Sequence, residues 1–132
     1  MHFSECLKYC EEDNRFKISE VIRNISDINN REPINGWSLL STAAYYHSKS
    51  TVSLLLDHGA NINITNFKGT SVLMYAKSKV VHNRDFDFLT YLINKGADPY
   101  LQDIYGKDIL YYVKLTNDAA LIDFFYNIMY NK

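Results

Sequence analysis

His2, Cys6 and Cys10 are spaced four apart, and in a helix that interval puts all three on one face. Imidazole nitrogen and thiolate sulfur are the donors that hold zinc. A structural zinc site needs a fourth ligand, and none with the usual spacing lies nearby, so no metal is expected. The same interval suits a disulfide poorly, which makes Cys6 and Cys10 two free thiols of a reducing compartment.

The other residues with chemical potential stand apart from one another. "FKGTS" (67–71) lacks the glycine spacing of a loop that cradles phosphates. There is no Gly-x-Ser-x-Gly elbow and no His-Glu-x-x-His pair. His47 and His58 fall where helices should end and are expected to cap or to face solvent. His82 has Arg84 and Asp85 beside it but no nucleophile. The chain is therefore expected to be no enzyme and to need no cofactor. With 14 Lys and Arg against 15 Asp and Glu, the net charge is −1, which argues against nucleic acid as the partner. No apolar run approaches the ~18–20 residues of a membrane span. "MHFSECLKYCEEDNR" lacks the cationic start and apolar stretch of a signal peptide, so no membrane and a cytoplasmic residence are expected.

The elements that must position these residues are marked by glycine. Gly36, Gly69 and Gly106 each precede a short helix-like segment: "GWSLLSTAA", "GTSVLMYAK" and "GKDILYYVK". Gly59 and Gly96 each follow an aliphatic run, in "VSLLLDHGANIN" and "LTYLINKGADPY". The interval from Gly36 to Gly69 is 33 residues and from Gly69 to Gly106 is 37, a period that means stacked units. Gly59–Gly69 and Gly96–Gly106 are both 10 residues, whereas Gly36–Gly59 is 23 and Gly69–Gly96 is 27. The four extra residues therefore sit inside the second unit, around "KSKVVHNRD", where they lengthen the first helix or form a projecting loop. Each unit reads as two short helices and an extended turn. Leu39, Leu40, Ala43 and Ala44 follow helical spacing, and Val52, Leu54, Leu55 and Leu56 are apolar on most sides, as a helix between layers would be. Gly59 and Asp98-Pro99 then stop their helices.

This pattern resembles the ankyrin repeat, whose consensus runs Gly-x-Thr-Pro-Leu-His-x-Ala-Ala and then Val-x-Leu-Leu-Leu-x-x-Gly-Ala-Asp/Asn-x-Asn. The first full unit matches through Gly36, Ser38, Leu40, Ala43, Ala44 and "LLLDHGANIN"; the second through Gly69, Leu73, Ala76, Leu89, Leu92, Gly96, Ala97 and Asp98. The Thr-Pro-Leu-His tetrapeptide is nowhere intact, being "SLLS", "SVLM" and "DILY". The resemblance implies an all-α solenoid over 1–132: an N-terminal partial repeat at 1–30, a repeat at 33–65, a repeat with the four-residue insertion at 66–102, and a degenerate capping repeat at 103–132. It also implies binding of another protein on a concave face made of turn tips and first-helix residues.

Carried over by position, the tips are Ile34-Asn35-Trp37, Phe67-Lys68-Thr70 and Ile104-Tyr105-Lys107, and the groove-facing helix positions are Tyr45-Tyr46, Ser78-Lys79 and Leu115-Thr116. Trp37, Tyr45, Tyr46, Phe67 and Tyr105 make this face aromatic, and such rings tend to carry interface energy. Lys68, Lys79 and Lys107 add positive charge beside them, and Ser78 a small polar site. Replacing Trp37 or Tyr46 by Ala is expected to abolish partner capture with the melting temperature unchanged. A module of this kind acts by occupying its partner, as a small inhibitor or toxin-neutralising immunity-type protein would; an adaptor joining two proteins, or a host-targeting effector, is the alternative. Ile128, Met129 and Tyr130 exceed what the last layer needs, so they fold back as a cap or leave an apolar edge, consistent with a monomer or a weak dimer.

Overall fold

The computed structural model describes residues 2–131. Four helix pairs follow one another: α1 (Phe3–Glu11) with α2 (Arg15–Val21), which runs into a 3-10 turn at Ile22–Asn24; α3 (Leu39–Tyr45) with α4 (Lys49–Asp57); α5 (Val72–Asn83) with α6 (Phe86–Asn94); and α7 (Ile109–Lys114) with α8 (Ala119–Tyr130). Among the described residues there is no strand, only isolated bridges at Arg31–Ser38 and Thr65–Ser71 where the turns close. The architecture is the all-α solenoid that the sequence pattern implies. No described helix is long and apolar enough to cross a membrane.

The residue two places after each tip glycine starts the next helix. Ser38 Oγ accepts from the Ser41 amide at 3.0 Å, Ser71 Oγ from Met74 at 3.1 Å, and Asp108 Oδ1 from Tyr111 at 3.1 Å. These side chains satisfy amides that have no partner inside the helix. Within each pair the two helices are joined through one residue in the left-handed region: Asp13 (φ 53°), His47 (φ 55°), Arg84 (φ 58°) and Asn117 (φ 58°). The first helices stack in a row, α1 on α3, α3 on α5 and α5 on α7, while α2 packs on α4. Fully buried Leu39, Leu40, Val52, Leu55, Leu73, Leu89, Leu92, Leu121 and Phe125 line the space between successive layers, so the core runs along the stack. Stability in such an array comes from neighbour interfaces.

The four-residue insertion lengthens a helix: α5 has 12 residues where α3 has 7. Its added turn is packed, with Val80 fully buried. It also ties three units together. The His47 ring of the unit before it lies with Nε2 2.7 Å from the Ala76 carbonyl and Nδ1 3.1 Å from the Asn83 amide nitrogen. That pattern assigns the proton to Nε2, which donates to Ala76, while Nδ1 accepts from Asn83. On the other side, the Arg84 guanidinium pairs with the Asp118 carboxylate that caps α8.

Cys6 and Cys10 are buried and unpaired, and burial pushes both thiols up from their ordinary pKa, which keeps them protonated and unreactive. His2 is exposed, and among the described residues no group of three or more His, Cys, Asp or Glu side chains is placed to hold a metal ion. At the far end Met129 is buried, its carbonyl accepts from the Tyr100 hydroxyl, and the Tyr130 ring stands edge-on to Tyr100 at 6.0 Å. The last turn of α8 thus packs against the turn that holds Tyr100.

Candidate functional site

The turn tips are built alike from a short run of sequence. In each, a side-chain oxygen gathers the tip amides. Glu32 accepts from Ile34 (2.9 Å), Asn35 (2.6 Å) and Trp37 (3.3 Å); Asn66 Oδ1 from Lys68 (2.9 Å) and Thr70 (2.8 Å); Asp103 Oδ1 from Tyr105 (2.9 Å) and Lys107 (3.0 Å). For both acids burial alone would raise the pKa, but hydrogen bonds outweigh it, those of the tip amides at Glu32 and that of the Tyr112 hydroxyl ahead of the amides at Asp103, and hold the carboxyl below its usual range. The tips then pair with one another through the backbone: the Phe67 amide donates to Asn35 O (3.2 Å) and Ile104 to Lys68 O (3.0 Å).

The tips are also locked to the first helices. Asn66 Nδ2 donates to the Tyr75 hydroxyl at 2.8 Å, and the Tyr112 hydroxyl donates to Asp103 Oδ2. That carboxylate pushes the Tyr112 phenol up to about 12. Tyr75 and Tyr112 are 37 residues apart, the interval of the repeat, and so occupy the same place in successive units.

Between tips and helices lies an open groove of ≈ 570 Å³. Trp37, Tyr45, Tyr46, Lys68, Ser78 and Tyr105, all picked out from the sequence, line it together with Thr70, Met74, Tyr75, Lys77, Asp103 and Tyr112. Its centre is an aromatic cluster: the Trp37 ring tilts over Tyr75 at 4.3 Å and meets Tyr45 edge-on at 5.7 Å, and Tyr45 meets Tyr46 edge-on at 5.0 Å. The Lys79 ammonium sits over the faces of Tyr45 (4.7 Å) and Tyr46 (5.3 Å). A shallower extension toward the N-terminal unit is lined by Leu7, Glu11 and Thr42 and shares Trp37 and Tyr46.

Three of the nine residues expected to bind are not on the groove wall: Lys79 lies behind the Tyr45 and Tyr46 rings, and Phe67 and Lys107 point elsewhere. Phe67 turns back along the stack, its ring under the Arg31 guanidinium at 4.8 Å and its backbone against Gly36. Lys107 covers the outer ring of Tyr111 at 4.5 Å. Trp37 differs from expectation in another way. It is half-buried against Tyr75 and Tyr45, so it supports the scaffold as well as the surface, and replacing it by Ala is expected to lower the melting temperature. Tyr46, 41% exposed, meets Tyr45 edge-on and Lys79 at the surface, and so carries less of that load.

Tyr75, Lys77 and Tyr112 escape a reading based on tip and helix-end positions. The signal for Tyr75 was its helical spacing, three and four residues before Ser78 and Lys79 on one face of α5. Tyr112 follows from Tyr75 by the period.

A model of the family "Ankyrin repeats (3 copies)" matches residues 7–103. An ankyrin repeat protein of Fowlpox virus is 28% identical over 111 residues, which is 84% of this chain and 25% of that protein. An ankyrin repeat-containing protein of Treponema pallidum is 34% identical over 85 residues, 64% of this chain and 27% of the relative. One from Acanthamoeba polyphaga mimivirus is 30% identical over 107 residues, 81% of this chain and 14% of the relative. The chain spans about a quarter or less of the length of these curated relatives.

Proposed function

The chain belongs to the ankyrin-repeat family, and on that basis we propose that it is a non-catalytic module holding a partner protein in its aromatic groove. The observation that carries this reading is the cluster of Trp37, Tyr45, Tyr46 and Tyr75 opening onto a groove of ≈ 570 Å³. Rings held by their neighbours lose little freedom on binding and offer large contact areas, which is what interface anchors require. The family match over residues 7–103 supports a role in offering a surface. The module then acts by occupation, as an inhibitor or an immunity-type neutraliser does, in the cytoplasm. Nucleic acid does not suit a surface with a net charge of −1.

Tyr46→Ala tests the reading. Capture of the partner from extract of the native cell, identified by mass spectrometry, is expected to weaken by on the order of 2 kcal/mol, about thirtyfold. The melting temperature should match the unaltered chain. Trp37→Ala should lose both capture and some stability. Undiminished capture by Tyr46→Ala would place the partner elsewhere.

One observation favours a second reading, an adaptor with two faces. Tyr111, Tyr126 and Tyr130 are exposed at the C-terminal edge, around a cleft of ≈ 510 Å³ bounded also by Asp108, Leu110 and Lys114. If this edge pairs copies of the chain as a weak dimer, light scattering on a size-exclusion column will show mass rising with concentration, and Tyr126→Glu will abolish the rise. A strict monomer at high concentration removes self-association from the reading.

A further inference from the structure

The groove has a charge pattern that selects among partners. Three ion pairs join side chains among the described residues: Lys17–Glu20, Lys49–Asp85 and Arg84–Asp118. None involves a lysine of the groove. Lys68 stands at the turn tip, exposed. Lys77 is half-buried in α5, its ammonium 5.9 Å from the centre of the Tyr112 ring, with no carboxylate paired to it. Burial lowers its pKa from the ordinary lysine value, and no nearby anion offsets that effect. A cation that has lost water without gaining a counter-ion profits most from an incoming anion.

The groove is poorly suited to a cationic partner. Three of the aromatic rings that could receive a partner's cation already hold this chain's own ammonium groups, Lys79 over Tyr45 and Tyr46 and Lys77 toward Tyr112. The carboxylates at hand are committed: Asp103 to two amides and the Tyr112 hydroxyl, and Glu32, in the extension, to three amides. Glu11 carries negative charge at the opposite end, beyond Tyr46.

We infer that the groove receives an acidic segment of the partner, with one side-chain carboxylate paired to the Lys77 ammonium, a second near Lys68, and apolar side chains on Trp37 and Tyr46. This rests on the binding reading above and names the chemistry of the partner. The segment's carboxylates lie at Lys68 and Lys77, away from Glu11 at the other end, with the Asp103 charge drawn into its bonds from two amides and the Tyr112 hydroxyl.

Selection of a phage-displayed library of random peptides on the full chain tests this. The enriched peptides should carry net negative charge, fail on Tyr46→Ala, and weaken as sodium chloride is raised. On Lys77→Met, which keeps the buried stem, their affinity should fall about tenfold, the size expected for one charge-assisted contact, and Lys77→Arg should restore most of it. Equal melting temperatures of the Lys77 variants and the unaltered chain exclude misfolding. Enriched peptides that need Tyr46 but are neutral or basic, or are indifferent to Lys77→Met, overturn the acidic partner and leave the groove reading intact. Peptides that bind Tyr46→Ala equally well, or no enrichment at all, overturn both.

Discussion

Gly69→Ala is expected to cost about 3 kcal/mol or more, whereas Gly106→Ala should cost about 1–2 kcal/mol. Both glycines sit in the left-handed region, at φ +81° and +73°, so a side chain strains the backbone similarly at either. Their surroundings differ. A Cβ on Gly69 would stand 2.8 Å from the Asp103 Cα and 3.2 Å from the Ile104 amide nitrogen, atoms of the next tip that cannot turn aside. A Cβ on Gly106 meets nothing within 4 Å. The first substitution must therefore push the third tip away and break the Ile104 N–H to Lys68 O bond, while the second strains one residue. At roughly 4 °C per kcal/mol for a chain of this size, thermal unfolding should separate the two variants by several degrees. Hydrogen exchange gives the sharper test. Since the stack holds by neighbour interfaces, Gly69→Ala should speed exchange of the amides of α7 and α8 while α3 and α4 keep their protection. Uniform loss across the chain would mean that the tips do not couple the units in this way.

That contrast separates what local spacing dictates from what packing between units adds. The glycine positions, the helix pairs between them and the phase of the insertion followed from spacing, because glycine and aliphatic residues answer to local backbone geometry and burial. The helix starts were legible too: Ser38 and Ser71 stand where the pattern calls for a short polar residue, and each accepts from the amide three residues on. The groove was legible in outline. Position within the repeat placed Trp37, Tyr45, Tyr46, Lys68, Ser78 and Tyr105 on its wall.

What escaped was whatever depends on a neighbour in the next unit. Phe67 has the composition of an interface anchor, yet its ring is claimed by Arg31 and its backbone by Asn35, 32 residues earlier in the chain. His47 has a left-handed backbone, and its ring's bonds to Ala76 and Asn83 offset that strain. Lys77 is one lysine among several in sequence; only the packing of α5 against its neighbours makes it a desolvated one.

Asp13 is the extreme case of this dependence and sets up the second large effect. α4 lacks a side-chain cap of its own, since Ser48 makes none and its hydroxyl reaches back to Glu11 O at 3.4 Å. The acceptor comes from the preceding unit instead: Asp13 Oδ1 takes the Thr51 amide (2.9 Å), the Thr51 hydroxyl (2.7 Å) and the Ser50 hydroxyl (2.9 Å). Asp13 itself sits at φ 53°. Asp13→Ala therefore removes a cap, leaves the fully buried Thr51 without its hydroxyl partner, and strains a left-handed residue, for an expected loss of about 2–4 kcal/mol. Two further variants divide that loss. Asp13→Gly relaxes the backbone but supplies no acceptor, so about 1–2 kcal/mol should remain. Asp13→Asn keeps both an acceptor and a tolerance for the left-handed region, and should fall within about 1 kcal/mol of the unaltered chain. Urea unfolding of the three variants checks the order Asn, Gly, Ala. If Ala and Gly are equally damaged, backbone strain contributes nothing and the cross-unit cap accounts for all of it; if Asn is as damaging as Ala, the negative charge rather than the acceptor holds the α1–α2 pair to α4.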